Sequence, residues 1–491
     1  MSEQEGLTVK KSKDFSEWYS QIIQKAELGD IRYNIKGFIV NRPWATMLMN
    51  NMYKLYEDEL QKNGHLPVLF PTLIPASNLK QEEEHFKGFS AEVFWVTEGG
   101  SDYKKFEEKY ALRPTSETAM YPMYALWIRS HRDLPLKLYQ RCQVFRYESK
   151  MTRAFLRGRE FWWIESHNAF TTREQAENQV LEDMRMSEDV MHQKFGIPFI
   201  FFNRPAWDKF PGAVYTYAAD SLMPNGKITQ QPSTHLLGQN FSKRLGIEFG
   251  DESGKKDFVW QTCYGPSIWR MVGSIIGLHG DDKGLILPPE ISPYQIVIIP
   301  ILTNKDKGKI LSSAKKLFSK LKKSGFRVFL DERDFYSPGW KFNEWELKGV
   351  PLRVEIGPKD IQRKHVVFVR RDTGEKKFVT DRSLITSARK SLSDIQKSIV
   401  KRADNYFNDK MFVANNLKEL SSNLKSGGFV QVPFCSVDLD GEGCAEKLKN
   451  DFAGVEVRGT RVDVKEKPKS SDKCVVCNRS AKVLVYVGKS Y

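Results

Sequence analysis

No apolar run in the chain approaches the ~18 residues that a membrane-spanning helix needs, so the sequence predicts nothing that crosses a bilayer as a helix. The amino terminus, MSEQEGLTVKKSKDFSEWYS, lacks the apolar block of a secretory signal. It is also too acidic for an organellar transit peptide, which sets a cytoplasmic expectation. Cysteine is scarce, with six residues at 142, 263, 435, 444, 474 and 477, four of them in the last 57 positions. So few, so unevenly placed, they exclude a secreted disulfide framework. Internal repeats and low-complexity tracts are absent, which leaves ordinary globular domains.

What is present begins with size and charge. At 491 residues the chain is too long for one core, and length alone suggests roughly three domains. A hydrophobic share of 40% with 12% aromatics is that of a globular protein. The net charge is +15, and residues 301–400 contribute +12 of it, with 24 Lys and Arg against 12 Asp and Glu. A charge that served solubility would be spread out. This concentration favours a nucleic-acid contact in that window, although a solvated basic face is the plainer alternative.

Up to about residue 290 the chain mixes helices with many strand-like runs bounded by Pro and Gly. After a linker at ISPYQIVIIPIL the pattern becomes regular: QIVIIP, FRVFLD, PLRVEIG and HVVFVRR read as strands. A helix with Ala314, Leu317, Phe318 and Leu321 at helical spacing and a short one around Trp345 lie between them. Strand alternating with helix predicts a small α/β domain with a mostly parallel sheet. The helical segment SLSDIQKSIVKRADNYF then leads into a third unit holding the four clustered cysteines. The expected divisions are 1–290, 291–395 and 396–491.

The densest chemistry is in residues 144–167, VFRYESKMTRAFLRGREFWWIESH, with four arginines, three glutamates, a histidine and six aromatic residues. Read as a strand, residues 161–167 put Phe161, Trp163, Glu165 and His167 on one face and Trp162, Ile164 and Ser166 on the other. In the preceding run Val144, Arg146 and Glu148 share a face. The two runs would form an antiparallel hairpin whose polar face can hold an anion and a planar ring. The alternative is an exposed hairpin whose charges pair with one another. Arg153, Arg157 and Arg159 in the connecting loop find only Glu160 nearby in sequence, and free guanidinium groups suit phosphate oxygens.

FRYE followed by REFWWIESH resembles motif 2 of the class II aminoacyl-tRNA synthetases, in the form found in the prolyl-tRNA synthetases. LRPTSETAMYP, STHLLGQNF, CYGPSIWR (motif 3) and WELKGVPLRVEIGPKD resemble further segments of that family, in collinear order across nearly the whole chain. KNGHLPVLFP resembles its motif 1, centred on Pro71. The resemblance implies an α+β catalytic domain on an antiparallel sheet (the class II synthetase fold), an α/β anticodon-binding domain and a small α/β zinc-binding carboxy-terminal domain of the archaeal and eukaryotic type. It also implies a homodimer through the region around Pro71, and activation of L-proline by ATP with Mg²⁺ followed by transfer to the terminal adenosine of tRNA(Pro).

Residue by residue, the resemblance implies that Arg146 bridges the α-phosphate and the proline carboxylate, Arg270 holds the γ-phosphate, and Arg157 holds the triphosphate from the loop. Phe161 would stack on adenine, Glu148 would accept from its amino group, and Gln230 would lie against the nucleotide. Thr115 and Glu117 would take the proline ammonium, although TSET before an apolar run also fits a helix cap. Trp163, His167 and Phe210 would wall the proline ring, and His235 would close the site. Glu346 and Arg353 would read the anticodon, since Glu accepts from a guanine amino group and Arg pairs with a guanine edge. CVVC is half of a typical zinc site, although redox use is its rival. The family's tail implies Zn²⁺ on Cys435, Cys444, Cys474 and Cys477. Two segments depart from the family's pattern: GPSIWR has an extra residue before Arg270, and Ser233 and Thr234 are exchanged in order. The 102 residues between His167 and Arg270 leave no room for the editing domain that many bacterial relatives insert.

Overall fold

The structure is a computed structural model that describes residues 6–83, 92–148, 151–303 and 305–491. Residues 149–150 of the arginine-rich loop therefore lie outside the described residues. Strands β1 (Leu66–Pro67), β2 (Leu136–Phe145), β3 (Glu160–Phe170), β4 (Ile200–Asn203), β5 (Tyr215–Leu222), β6 (Ile228–Gly238) and β7 (Trp260–Tyr264) form the catalytic sheet in spatial order β4-β5-β6-β7-β3-β2-β1. All neighbours are antiparallel except β1 and β2. Helices α1 (Phe15–Lys25), α2 (Pro43–Lys62), α3 (Glu117–Trp127), α4 (Arg173–Met186) and α5 (Ile268–His279) surround it.

The alternation expected along β3 is realised. Ile164 is fully buried in a core shared with α1, α2 and α5, and Trp162 packs partly buried against that core. Helix α5 starts at Ser267, whose hydroxyl accepts the Arg270 backbone N–H at 3.3 Å and caps the first turn. Two turns along, Gly273 lets the β2–β3 loop lie directly on the helix. A Cβ there would stand 2.3 Å from the Phe155 carbonyl oxygen, so no larger residue fits.

The next unit contains β8 (Ile296–Pro300), α6 (Lys307–Lys323), β9 (Val328–Leu330), α7 (Pro338–Leu347), β10 (Leu352–Ile356), β11 (His365–Arg370) and β12 (Lys376–Thr380), with sheet order β9-β8-β10-β11-β12. The expectation of a mostly parallel sheet needs correction. β8 runs parallel to β9 and β10, but β10–β11 and β11–β12 are antiparallel. The link from β10 to β11 holds one five-residue helix, Pro358–Gln362. A parallel return needs about a dozen or more residues.

Helix α8 (Leu384–Asn408) is 25 residues long, and the division expected at 395/396 falls inside it. Leu384, Ala388, Leu392, Ile395, Ile399, Ala403 and Phe407 bury one continuous stripe. Beyond it come β13 (Met411–Val413), β14 (Phe429–Phe434), α9 (Glu442–Asp451), β15 (Val455–Arg461) and β16 (Val483–Lys489). These strands extend the catalytic sheet, because β15 pairs with β4 through Thr460↔Asn203 and Arg461↔Phe202. The resulting sheet has eleven strands, so the carboxy-terminal unit is built onto the catalytic one. Among the described residues no helix is long and apolar enough to cross a membrane.

Candidate active site

One row of residues crosses the sheet in register: His167 on β3 faces Cys263 on β7, Cys263 faces His235 on β6, and His235 faces Thr216 on β5. Cross-strand partners share a face. All four line a cavity of about 470 Å³, together with Phe161, Trp163 and Glu165 from the same face of β3. Arg146 and Glu148, just past the end of β2, complete the floor as the hairpin expectation required.

Thr115, Glu117, Phe210, Gln230 and Arg270 also line this cavity. Its two ends differ in charge. At one, the Arg146 guanidinium donates to the Pro114 carbonyl at 3.2 Å and lies 5.2 Å and 5.5 Å from the Phe161 and Trp163 ring centres. Arg270 donates to the Gln230 carbonyl at 2.9 Å. Burial, followed by the charges of Arg146 and Arg157, pushes Arg270 down to about 10. Two half-buried guanidinium groups converging on one cavity call for an anion.

At the other end the Thr115 hydroxyl donates to Glu117 at 2.5 Å. Ser116, at the cap position of α3, makes no side-chain cap and accepts from Gln140 at 2.7 Å, so the capping-box alternative is not realised. His167 contacts Glu165 at 3.2 Å and the Tyr121 hydroxyl at 3.1 Å. Burial opposes its charge, but the Glu165 hydrogen bond and the nearby Glu117 and Glu165 carboxylates raise its pKa overall. His235 lies between Thr216 (2.8 Å) and Ser233 (3.0 Å), with the Phe210 ring 4.9 Å away. Burial, then the charges of His167 and Arg204, push it down to about 3, so it is neutral. Glu165 Oε1 is buried without a hydrogen-bond partner among the described residues, which leaves one acceptor open to a ligand.

Beneath this row Asp183 on α4 accepts from Thr234 at 2.6 Å and from Gln179 at 2.8 Å, while burial pushes its carboxyl up to about 7. A carboxyl raised above its ordinary value stabilises the fold most at low pH, and that contribution fades as pH rises through about 7. Asp183→Asn should therefore flatten the loss of thermal stability between the ordinary carboxylate value of 3.8 and about 7. Melting curves across that range check it.

Sequence reasoning missed a buried charge network at the arginine-rich end. Asp220 on β5 accepts from Arg204 at 2.8 Å and from Arg458 of β15 at 2.8 and 2.9 Å. Arg204 lines the cavity and approaches Gln230 at 3.5 Å. The signal was not available locally, since Asp220 and Arg458 are 238 residues apart.

Arg157 departs from the other expected residues. It lines a separate cleft of about 1780 Å³ that also includes Trp340 and Glu346, donates to the Tyr491 carbonyl at 2.8 Å and lies 3.9 Å from Glu148. The expectation of uncompensated loop arginines is corrected for two of them. Arg153 donates twice to Ser16 at 2.9 Å and lies over Tyr19, because the loop folds back onto α1. Arg159 donates to the Glu148 carbonyl and lies over Tyr147. In the second unit Glu346 pairs with Lys283 at 3.2 Å, and Arg353 pairs with Glu355 at 2.9 Å over the Phe342 ring.

In the tail, one sulfur each from Cys435, Cys444, Cys474 and Cys477 lies within 4.8 Å of the others, with Cys435 and Cys444 3.7 Å apart. Four thiolates about 2.3 Å from one ion stand roughly 3.8 Å from each other, so the donor set fits zinc.

The family model for the class II tRNA synthetase core domain (G, H, P, S and T) matches residues 94–279, the anticodon binding domain matches 295–390, and the prolyl-tRNA synthetase C-terminal domain matches 417–491. Proline–tRNA ligase of Thermofilum pendens is 50% identical over 492 residues, covering all of both chains. The chain belongs to the prolyl-tRNA synthetases. The enzyme of that name from Methanopyrus kandleri is 42% identical over 97% of this chain and 96% of its own, and that from Pyrococcus horikoshii is 41% identical over 98% of each. As a prolyl-tRNA synthetase, the chain carries its cavity within the matched core, and its four cysteines lie in the matched tail.

Proposed function

We propose that this chain is a proline–tRNA ligase that converts L-proline and ATP to prolyl-adenylate and pyrophosphate, then transfers the prolyl group to the 3′-terminal adenosine of tRNA(Pro). The observation that carries the proposal is the polarity of one cavity, with half-buried arginines at one end and buried carboxylates among rings at the other. The reaction needs no protein nucleophile. The proline carboxylate attacks the α-phosphorus, so the protein has only to align the partners and neutralise charge.

In this reading Arg146 bridges the α-phosphate and the proline carboxylate, and Arg270 takes the γ-phosphate. Phe161 stacks on adenine, Glu148 accepts from its amino group, and Gln230 lines the nucleotide. Arg157 would reach the triphosphate after releasing Tyr491. Glu117 and Thr115 hold the secondary ammonium, Trp163, His167 and Phe210 enclose the ring, and His235 closes the end as a neutral group. Asp220 is engaged by two arginines, which leaves few free carboxylates at the phosphate end. That set fits a magnesium ion carried mainly by phosphate oxygens. The ion would add positive charge at the leaving group.

Proline-dependent exchange of pyrophosphate with ATP tests the proposal. A folded, zinc-replete sample that shows none would refute it in favour of a non-catalytic tRNA-binding paralogue. In the second unit Glu346 and Arg353 would read the anticodon, which requires both to leave their present ion pairs. Zinc on the four tail cysteines predicts about one metal per chain, lost together with the tail fold in Cys474→Ser, by metal analysis and circular dichroism. A homodimer through the region of Pro71 is supported by the apolar strip beside it, with Leu66, Leu69 and Leu73 exposed by 64%, 82% and 43%. Leu69→Glu should shift sedimentation from twice the chain mass to the monomer.

A further inference from the structure

The proline end of the cavity holds more liganding chemistry than an ammonium group uses. Glu117 on α3, His167 on β3 and Cys263 on β7 bring a carboxylate oxygen, a ring nitrogen and a sulfur within 4.8 Å of one another. The fold imposes this arrangement. His167 and Cys263 are cross-strand partners on one face, and Glu117 enters from the first turn of α3. All three are buried, at 3%, 2% and 6% exposure.

The surroundings are those of a supported metal site. Both ring nitrogens of His167 already have a partner, Glu165 on one side and Tyr121 on the other. Whichever nitrogen turned to a metal, the other would keep the hydrogen bond that fixes the ring. The Thr115 hydroxyl orients Glu117 in the same way. A second carboxylate oxygen, Glu165 Oε1, is buried at the cavity wall without a partner among the described residues.

We infer that Glu117, His167 and Cys263 form a binding site for a thiophilic divalent cation of the zinc class, and that this cation and proline exclude one another. Thiolate, imidazole and carboxylate are the donor types zinc takes, and three protein ligands with one open position is a familiar accessible arrangement. Magnesium takes oxygen ligands and keeps its waters, so this set discriminates against it. Two buried carboxylates, Glu117 and Glu165, draw positive charge to this end of the cavity. The proline ammonium supplies it in the reading above, on which this inference rests, and a dication would supply it in its place. Free zinc should therefore inhibit proline activation, with relief by proline. The tail cysteines are a separate site in a separate core.

The test uses full-length protein with its tail filled by zinc, titrated with Co²⁺ in the absence of nucleotide. A further equivalent of bound metal is expected, with cobalt–thiolate absorption that Cys263→Ser removes and proline reverses. In exchange assays on the same preparation, zinc should raise the KM for proline and leave kcat unchanged. Metal that stops at the tail's complement overturns the site, and proline-dependent exchange by that sample shows the proline reading intact. A further equivalent that proline fails to displace overturns the exclusion and, with it, the assignment of this end to proline. Because displacement is read on the unaltered chain, a misfolded Cys263→Ser variant does not shield the inference.

Discussion

Arg146→Ala should lower proline-dependent exchange of pyrophosphate with ATP by at least about 1000-fold while leaving tRNA binding largely intact. The size follows from position. Arg146 is half-buried at the junction of the cavity's two ends, between the Phe161 and Trp163 rings and the Pro114 carbonyl. In the proposed reading a guanidinium there faces both reacting groups, and its removal takes away alignment and charge together. Arg146→Lys is the informative companion, because an ammonium restores charge without the planar fork that spans two oxyanions. It should recover little of the loss. Melting curves separate this effect from unfolding, and filter binding of tRNA(Pro) reports the second substrate. Exchange by Arg146→Ala within about tenfold of the parent would refute the bridging role, since even one preorganised donor is worth more than that.

The contrast between Arg146 and Arg153 marks how far sequence could reach. Period-two alternation placed Phe161, Trp163, Glu165 and His167 on one face, and that face lines the cavity. Alternation is a local property of the backbone, so it survives folding. What a charged side chain meets is not local. Arg153 reads as a phosphate ligand until the loop turns through Phe155, at φ 60°, and sets it against Ser16 and Tyr19, more than 130 residues earlier. The same limit hid Cys263, which joins His167 only through strand pairing. It also hid the fusion of the tail strands to the catalytic sheet, because hydrogen bonds between sheet edges leave no periodic trace.

That fusion carries the second large effect, which Asp220→Asn should expose. Asp220 is fully buried and holds Arg204 from its own unit and Arg458 from the tail strand β15. Removing its charge leaves two buried guanidinium groups facing each other with the more exposed Glu456 and Asp208 left to oppose them, a change that costs about 3–5 kcal/mol. Chemical denaturation reads this as a lower midpoint. The active site should respond as well. Arg204 approaches Gln230, whose carbonyl accepts from Arg270, so the KM for ATP should rise more than the KM for proline. Adding Arg458→Met to Asp220→Asn discriminates the cause. If uncompensated charge is responsible, the double variant recovers a large part of the loss, with a coupling of about 0.5–3 kcal/mol between the two sites. If the pair served only as packing, the two losses would add, and the tail would be held to the catalytic sheet by strand pairing and by the apolar cluster of Phe202, Phe429 and Tyr486.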